Sequence, residues 1–306
     1  MAWWGVDNLF DTHYDFDDLE LIGDHLFVVG VPENFDDSFK RNVFAAAKTS
    51  MLGNASVDYT LKRYSKNWNF KQNEDTKQIY SALSDVKCII VSALEYLMAI
   101  DEKPDIPSLF TSGAALARLQ NTFQASNLTI KCGLQFETAA LERVILEQLA
   151  WIFYIYKFEG DFFKILPTKC VNNFKTVYPN IGSLYGFLSE HAHISPETTL
   201  DYVRFDGKKL NVRLSEPQIT KVMKYILIVL ADMFCVVGEI IYSDLLKEYQ
   251  YIQRNKDNSF MPNKFRMTKE ILEKNEKVLL RGIKGEQIVP DTKFPYGFRL
   301  FDFDGE

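Results

Sequence analysis

The run from Tyr225 to Tyr242, YILIVLADMFCVVGEIIY, limits the fold more than any other stretch of this chain. It is about long enough to span a bilayer. But Asp232 sits at its middle and Glu239 near its end. A carboxylate is costly at the centre of a lipid layer. The run therefore reads as a helix buried in the core of a protein outside the membrane, apolar on nearly every side because neighbours surround it. A helix of that kind needs several partners. The expected class is mainly α, a helical bundle with a small β-hairpin and minor terminal strands.

The partners are legible as 3.6-residue periods. Asn34-Phe-Asp-Asp looks like a cap with acids in the first turn, opening a helix over about 36–64. Further helices are expected at 74–101, 108–126, 134–158, just after Pro167, at 183–193, 216–254 and 268–281. Between them, residues 202–214 alternate on both sides of Asp206-Gly207, the strongest hairpin signal in the chain. Leu26–Val31 is a short β-type run stopped by Pro32, and Phe298–Asp304 alternates with period two. The two ends are candidates to pair with each other.

Charge divides the chain. No Lys or Arg precedes Lys40, so 1–35 reads as an acidic N-terminal segment. A bundle domain over 36–254 follows, and then a basic extension over 255–306. The overall net charge of −6 means that any nucleic-acid contact needs a local basic patch. The four cysteines, Cys88, Cys132, Cys170 and Cys235, form no CxxC pair. They fit a reducing compartment. With no basic n-region in Met-Ala-Trp-Trp-Gly, the expected location is cytoplasmic and not at a membrane. The 24 Phe and 15 Tyr exceed what one bundle readily buries, which suggests a homodimer. Walker A, GxGxxG, GxSxG and HExxH patterns are absent from the sequence, so kinase, dehydrogenase, hydrolase-fold and zincin readings fall away. No cofactor or metal is expected.

Three groups of residues carry candidate chemistry. Arg143 and Glu147 lie four apart on the most apolar of the middle helices, so they share a face. They read either as a structural ion pair or as a polar site inside the bundle. The stretch Leu184–Pro196 contains His191 and His193, the side chains best suited to acid–base work near neutrality. Tyr225, Asp232 and Glu239 recur every seven residues. They serve either as partners of Arg143 or the hairpin, or as the wall of a pocket with Arg143, Glu147 and His193. A charge on an apolar helix costs several kcal/mol if unpaired, so convergence of these polar stripes is the expected outcome.

In order, Arg143-x-x-x-Glu147, Tyr185-x-x-Leu188-Ser189-x-x-x-His193, a variable hairpin and a long closing helix resemble a helical family of bacterial proteins from phage-defence and abortive-infection settings, related to the HEPN superfamily. The likeness covers about 134–254. It implies helical dimers and, in active members, metal-independent RNA cleavage. Those members carry Arg four to six residues before His on one helix. Here no Arg occupies that window before His191 or His193, so Arg143 would have to supply the cation from another helix. The resemblance thus implies Arg143, Glu147 and His193 as catalytic, with Tyr185 and Ser189 in support, and the polar residues His191, Asp232 and Glu239 are expected to support the same site.

One stretch adds a cue for RNA. Lys62, Arg63, Lys66, Trp68 and Lys71 interleave cations with aromatics, as a surface that contacts phosphates and stacks bases would. The alternative is an exposed helix end. The expected function is a defence or toxin-type effector acting on RNA. A non-catalytic sensing or assembly subunit with other defence proteins as partners is the second reading, and a small-ligand-binding helical protein the third.

Overall fold

The structure is a computed structural model, and it describes residues 19–23, 27–68, 70, 74–100, 106–193, 203–205, 210–212 and 217–279. The expected acidic lead-in before residue 19, the alternating Phe298–Asp304 stretch and the Asp206-Gly207 turn lie outside the described residues.

The elements in chain order are β1 (Leu19–Gly23), β2 (Val28–Pro32), α1 (Asp37–Leu52), α2 (Val57–Tyr64), α3 (Glu74–Met98), α4 (Pro107–Lys131), α5 (Gln135–Ile155), α6 (Pro167–Phe174), α7 (Ile181–Ala192), β3 (Val203–Phe205), β4 (Leu210–Val212), α8 (Pro217–Ile241), β5 (Ile252–Arg254), β6 (Phe260–Pro262) and α9 (Met267–Leu279). The protein is a helical bundle with small antiparallel hairpins. β3 and β4 pair with Val203 opposite Val212, as the alternation over 202–214 requires.

α8 is the pillar. Every residue from Val222 to Ser243 is buried, and the helix packs against α3, α4, α5 and α9. No helix among the described residues is long and apolar enough to cross a membrane. Close packing here depends on Gly238. A Cβ at that position would lie 2.7 Å from Leu97 Cδ1 and 3.2 Å from Leu116 Cδ2. α4 and α5 form an antiparallel pair, turned by Gly133 at φ 72° with Leu134 N donating to Thr129 O. That is the glycine-ended helix stop with its 6→1 bond.

Two departures from the expected helices have local causes. The helix expected over 36–64 is two helices. Gly53 takes φ 62° and ends α1, and the Ser56 hydroxyl accepts from Tyr59 N to start α2. The helix expected to reach 254 stops at Ile241, and β5 and β6 follow. The Glu239 carboxylate accepts from the backbone N–H groups of Gln250, Tyr251 and Ile252 at 2.6, 2.6 and 2.7 Å. That clasp pulls the chain back against α8. The turn at 255–259 then needs Asn258 at φ 66°, a conformation asparagine tolerates better than most residues.

β2 pairs with β1, giving Leu19–Gly23 a strand that the pattern of the sequence did not announce. This hairpin, α1 and α2 enclose a second, smaller core of Ile22, Val31, Phe44, Ala45, Trp68 and Phe70. Lys48, almost fully buried, places its ammonium 5.1 Å from the Tyr64 ring centroid and 5.8 to 5.9 Å from those of Phe27, Phe44 and Trp68. The main core extends past residue 254, since Leu272 and Leu279 of α9 belong to it.

The centre of α8 carries an ion pair that holds this later segment. Arg266 Nε and Nη2 donate to the two Asp232 oxygens at 2.7 and 2.9 Å, and Thr268 Oγ1 donates to the same carboxylate. Both side chains are at most 2% exposed. Breaking such a pair leaves a buried charge without its counterion. Asp232→Ala should therefore lower unfolding stability by about 3–5 kcal/mol, read by denaturant titration. The double variant Asp232→Leu/Arg266→Met should recover much of the loss. Loss of less than about 1 kcal/mol in the single variant would mean that the pair does not anchor α9.

Candidate functional site

α5 and α7 lie against each other, and their contact holds four polar side chains. Arg143 Nε donates to Glu147 Oε1 at 3.0 Å, one turn along α5. Arg143 Nη2 donates to the Tyr185 hydroxyl at 3.1 Å. That hydroxyl in turn donates to Glu147 Oε1 at 3.0 Å, so Arg143, Tyr185 and Glu147 close a ring of hydrogen bonds. The Arg143 guanidinium also stands 5.3 Å from the Tyr185 ring centroid.

The third arm reaches His193. Arg143 Nη1 is hydrogen-bonded to His193 Nε2. An arginine N–H can only donate, so Nε2 is the acceptor in this contact. His193 follows the last turn of α7, where its backbone N–H donates to Ser189 O at 3.2 Å. That bond fixes the chain direction and carries the ring over to α5.

The cluster sits at the edge of the bundle. The Arg143 and Glu147 side chains are 20% and 17% exposed, and His193 is exposed. Burial works against the charge of Arg143. The Glu147 carboxylate and the Tyr185 hydroxyl more than offset it, and the guanidinium is held above its ordinary pKa. A cation, an imidazole and a phenol thus share one partly open patch. Chemically it can accept a proton at His193 and stabilise negative charge at Arg143.

The other expected members lie elsewhere. His191 is buried, lies tilted against the Phe187 ring with centroids 4.1 Å apart, and pairs its Nδ1 with Phe187 O at 2.9 Å. It serves the core. The Ser189 hydroxyl is buried and has no hydrogen-bond partner among the described residues. Asp232 and Glu239 do not join the site. Their oxygens are taken by Arg266 and Thr268, and by the 250–252 backbone. Both carboxylates answer to segments that follow them in the chain, which is why their heptad spacing pointed to the wrong partners.

The expected basic surface over 62–71 is also altered. Trp68 is buried, edge-on to Phe44 at 4.9 Å, so its face is not open to stack a base. Arg63 bonds the Tyr59 hydroxyl. Lys62 and Lys66 are exposed, and Lys71 lies outside the described residues. Among the described residues, no group of His, Cys, Asp and Glu side chains is arranged to hold a metal ion.

One residue beside the site escaped the sequence reading. Glu142 is fully buried, and neither carboxylate oxygen has a hydrogen-bond partner among the described residues. Ser108 Oγ to Tyr156 O, Ser112 Oγ to Ile152 O and Thr138 Oγ1 to Thr129 Oγ1 set the α4–α5 register. Burial pushes the Glu142 carboxyl well above the ordinary value. Nothing in the local pattern separates this Glu from a surface charge. Only its place on the Thr138–Ala139–Ile145–Leu146 stripe hints at burial.

No family model, no curated protein and no solved structure matches the chain.

The raised carboxyl has a consequence for stability. An unfolded Glu ionises near about pH 4.3, whereas Glu142 stays protonated in the fold above that. Unfolding therefore releases a proton, and stability falls as pH rises from the ordinary carboxylate range towards the folded value. Glu239 contributes with the same sign, because burial outweighs its three backbone donors. Glu142→Met should stabilise the protein at pH 7 by about 1–3 kcal/mol and make the decline with pH shallower. Denaturant unfolding at several pH values checks this. A destabilised variant with an unchanged slope would show that Glu142 is satisfied in solution.

Proposed function

We propose that the α5–α7 patch is the active site of a metal-independent ribonuclease, in a defence or toxin-type effector of the HEPN-like kind. The observation that supports it is the convergence of Arg143 and His193 from different helices at an exposed edge. In this reading a substrate phosphate takes the place of Nε2 on Arg143. His193 Nε2 is then released to accept the 2′-hydroxyl proton. The 2′-oxygen attacks phosphorus, the bond to the 5′-oxygen breaks, and the leaving oxygen takes a proton from water. The products are a 2′,3′-cyclic phosphate and a 5′-hydroxyl. Arg143 stabilises the phosphorane charge, while Glu147 and Tyr185 hold the guanidinium in place.

The test uses a fluorophore–quencher RNA together with identification of the end groups. His193→Ala should lower the cleavage rate by about 100-fold or more while circular dichroism and melting stay unchanged. Arg143→Ala should lower it similarly, and Tyr185→Phe less. Folded variants with full activity would refute the assignment.

A second reading rests on the same hydrogen bonds. Arg143 spends Nε, Nη1 and Nη2 on Glu147, His193 and Tyr185, which makes it a latch between α5 and α7 in a non-catalytic assembly subunit. In that case the wild-type chain cleaves no RNA, and Arg143→Ala instead costs about 1–3 kcal/mol of stability.

Both readings involve a homodimer. The exposed aromatics Phe163 and Phe265, 84% and 94% accessible, supply apolar surface for it. Sedimentation or light scattering should give twice the chain mass of 35.4 kDa, and a monomer at micromolar concentration would overturn it.

A further inference from the structure

The far end of α5 runs into a second polar and aromatic site. Past Ile155 the chain continues through Tyr156 and Lys157. The segment after α6 and the turn between β5 and β6 close around this end, leaving a cleft of about 410 Å³. That is the size of a small-ligand pocket. Its lining includes two buried apolar side chains, Val177 and Phe260. Its rim is polar, with Lys157, Arg254 and Asn258 exposed.

Charge and ring are paired on two walls. The Arg254 guanidinium lies 5.4 Å from the Phe260 ring centroid on the hairpin side, and the Lys157 ammonium lies 5.3 Å from the Tyr156 centroid on the α5 side. The nearby acids are accounted for. Asp244 pairs with Lys157 at 3.2 Å, with both side chains more than half exposed. Asp257 accepts from the Ser259 backbone and hydroxyl within the turn. Arg254 makes no ion pair among the described residues, so it carries the positive charge left over at the rim. A flat apolar wall beside a planar, five-donor cation suits a ligand that joins a planar ring to a phosphate.

We propose that this cleft binds a nucleoside monophosphate, with the base between the Tyr156 and Phe260 walls and the phosphate on Arg254. The proposal is independent of the ribonuclease reading. The two sites share no residue, and Arg143 and Tyr156 are about 20 Å apart along α5 at the helical rise per residue.

The test is calorimetric titration of the full chain with each of the four ribonucleoside 5′-monophosphates, with adenosine and inorganic phosphate as half-ligands. At least one monophosphate should bind saturably, and each half-ligand should bind at least about tenfold more weakly. Arg254→Ala should weaken binding by about tenfold or more without moving the melting temperature of the free protein. Arg254→Lys should be intermediate, because it keeps the charge but loses the fork. Hydrogen exchange gives a readout that survives any folding defect in the variants. The bound monophosphate should slow exchange over 252–262 in the wild-type chain and leave 181–193 unchanged. The proposal is overturned by absence of saturable binding at millimolar monophosphate, by full affinity in Arg254→Ala, by inorganic phosphate matching the nucleotide, or by protection that falls on 181–193 instead.

Discussion

Asp232 lies at the centre of a helix that four others surround, and its charge is matched by Arg266, which stands 34 residues further along the chain. This pair decides more than its own energy. An ionised carboxylate in that position has to find a counterion or take up a proton. The nearest solution brings the loop before α9 down onto α8. Thr268 adds a third hydrogen bond at the first turn of α9, so the helix is docked through its entry and its apolar face then packs on α3 and α8. Two turns further along α8, Glu239 repeats the device with backbone donors instead of a side chain. The two carboxylates together fold residues 250–268 back over the pillar that carries them.

The same polar economy explains the contrast between Glu142 and Arg143, which are neighbours in sequence. Arg143 points towards α7 and satisfies three nitrogens. Glu142 points into the interior, where its two oxygens are buried without partners among the described residues. A protonated carboxyl tolerates that environment far better than a carboxylate would. Arg143 therefore has no ion-pair competitor from its own neighbour, and Glu147 alone neutralises it on α5.

Much of this was legible in the sequence. α3 and α5 follow from period and apolar content, and the all-round apolar character of residues 225–242 dictated a central helix. Arg143, Tyr185, Glu147 and His193 were findable as a group, because each is a polar side chain beside an apolar face and has few places to go. What stayed hidden was non-local. Asp232 and Glu239 bond segments whose own sequence shows no complementary period, so spacing along α8 could not reveal their partners. Trp68 among cations reads the same whether its ring lies on a surface or inside a small core, and only the strand pair above α1 decides it. The β5–β6 turn did leave a trace, Asp257-Asn258, but the helix read through to 254 hid the strand that leads into it. Gly53 likewise marked the end of α1 for a reader who weighed glycine above amphipathic continuity.

The position of α8 in the chain has a consequence during biosynthesis. α3, α4 and α5 leave the ribosome well before α8, and the helix that fills the space between them comes later, after α6, α7 and the β3–β4 hairpin. At ordinary elongation rates the stretch from Ile155 to Ile241 takes on the order of ten seconds. Through that interval the nascent chain carries Leu94, Leu97, Leu116, Leu119, Leu146 and Leu149 with no central helix to cover them. Holdase chaperones have their longest opportunity on this protein in that window. A ribosome stalled before codon 217 would present the cell with an open apolar trough rather than a half-finished domain.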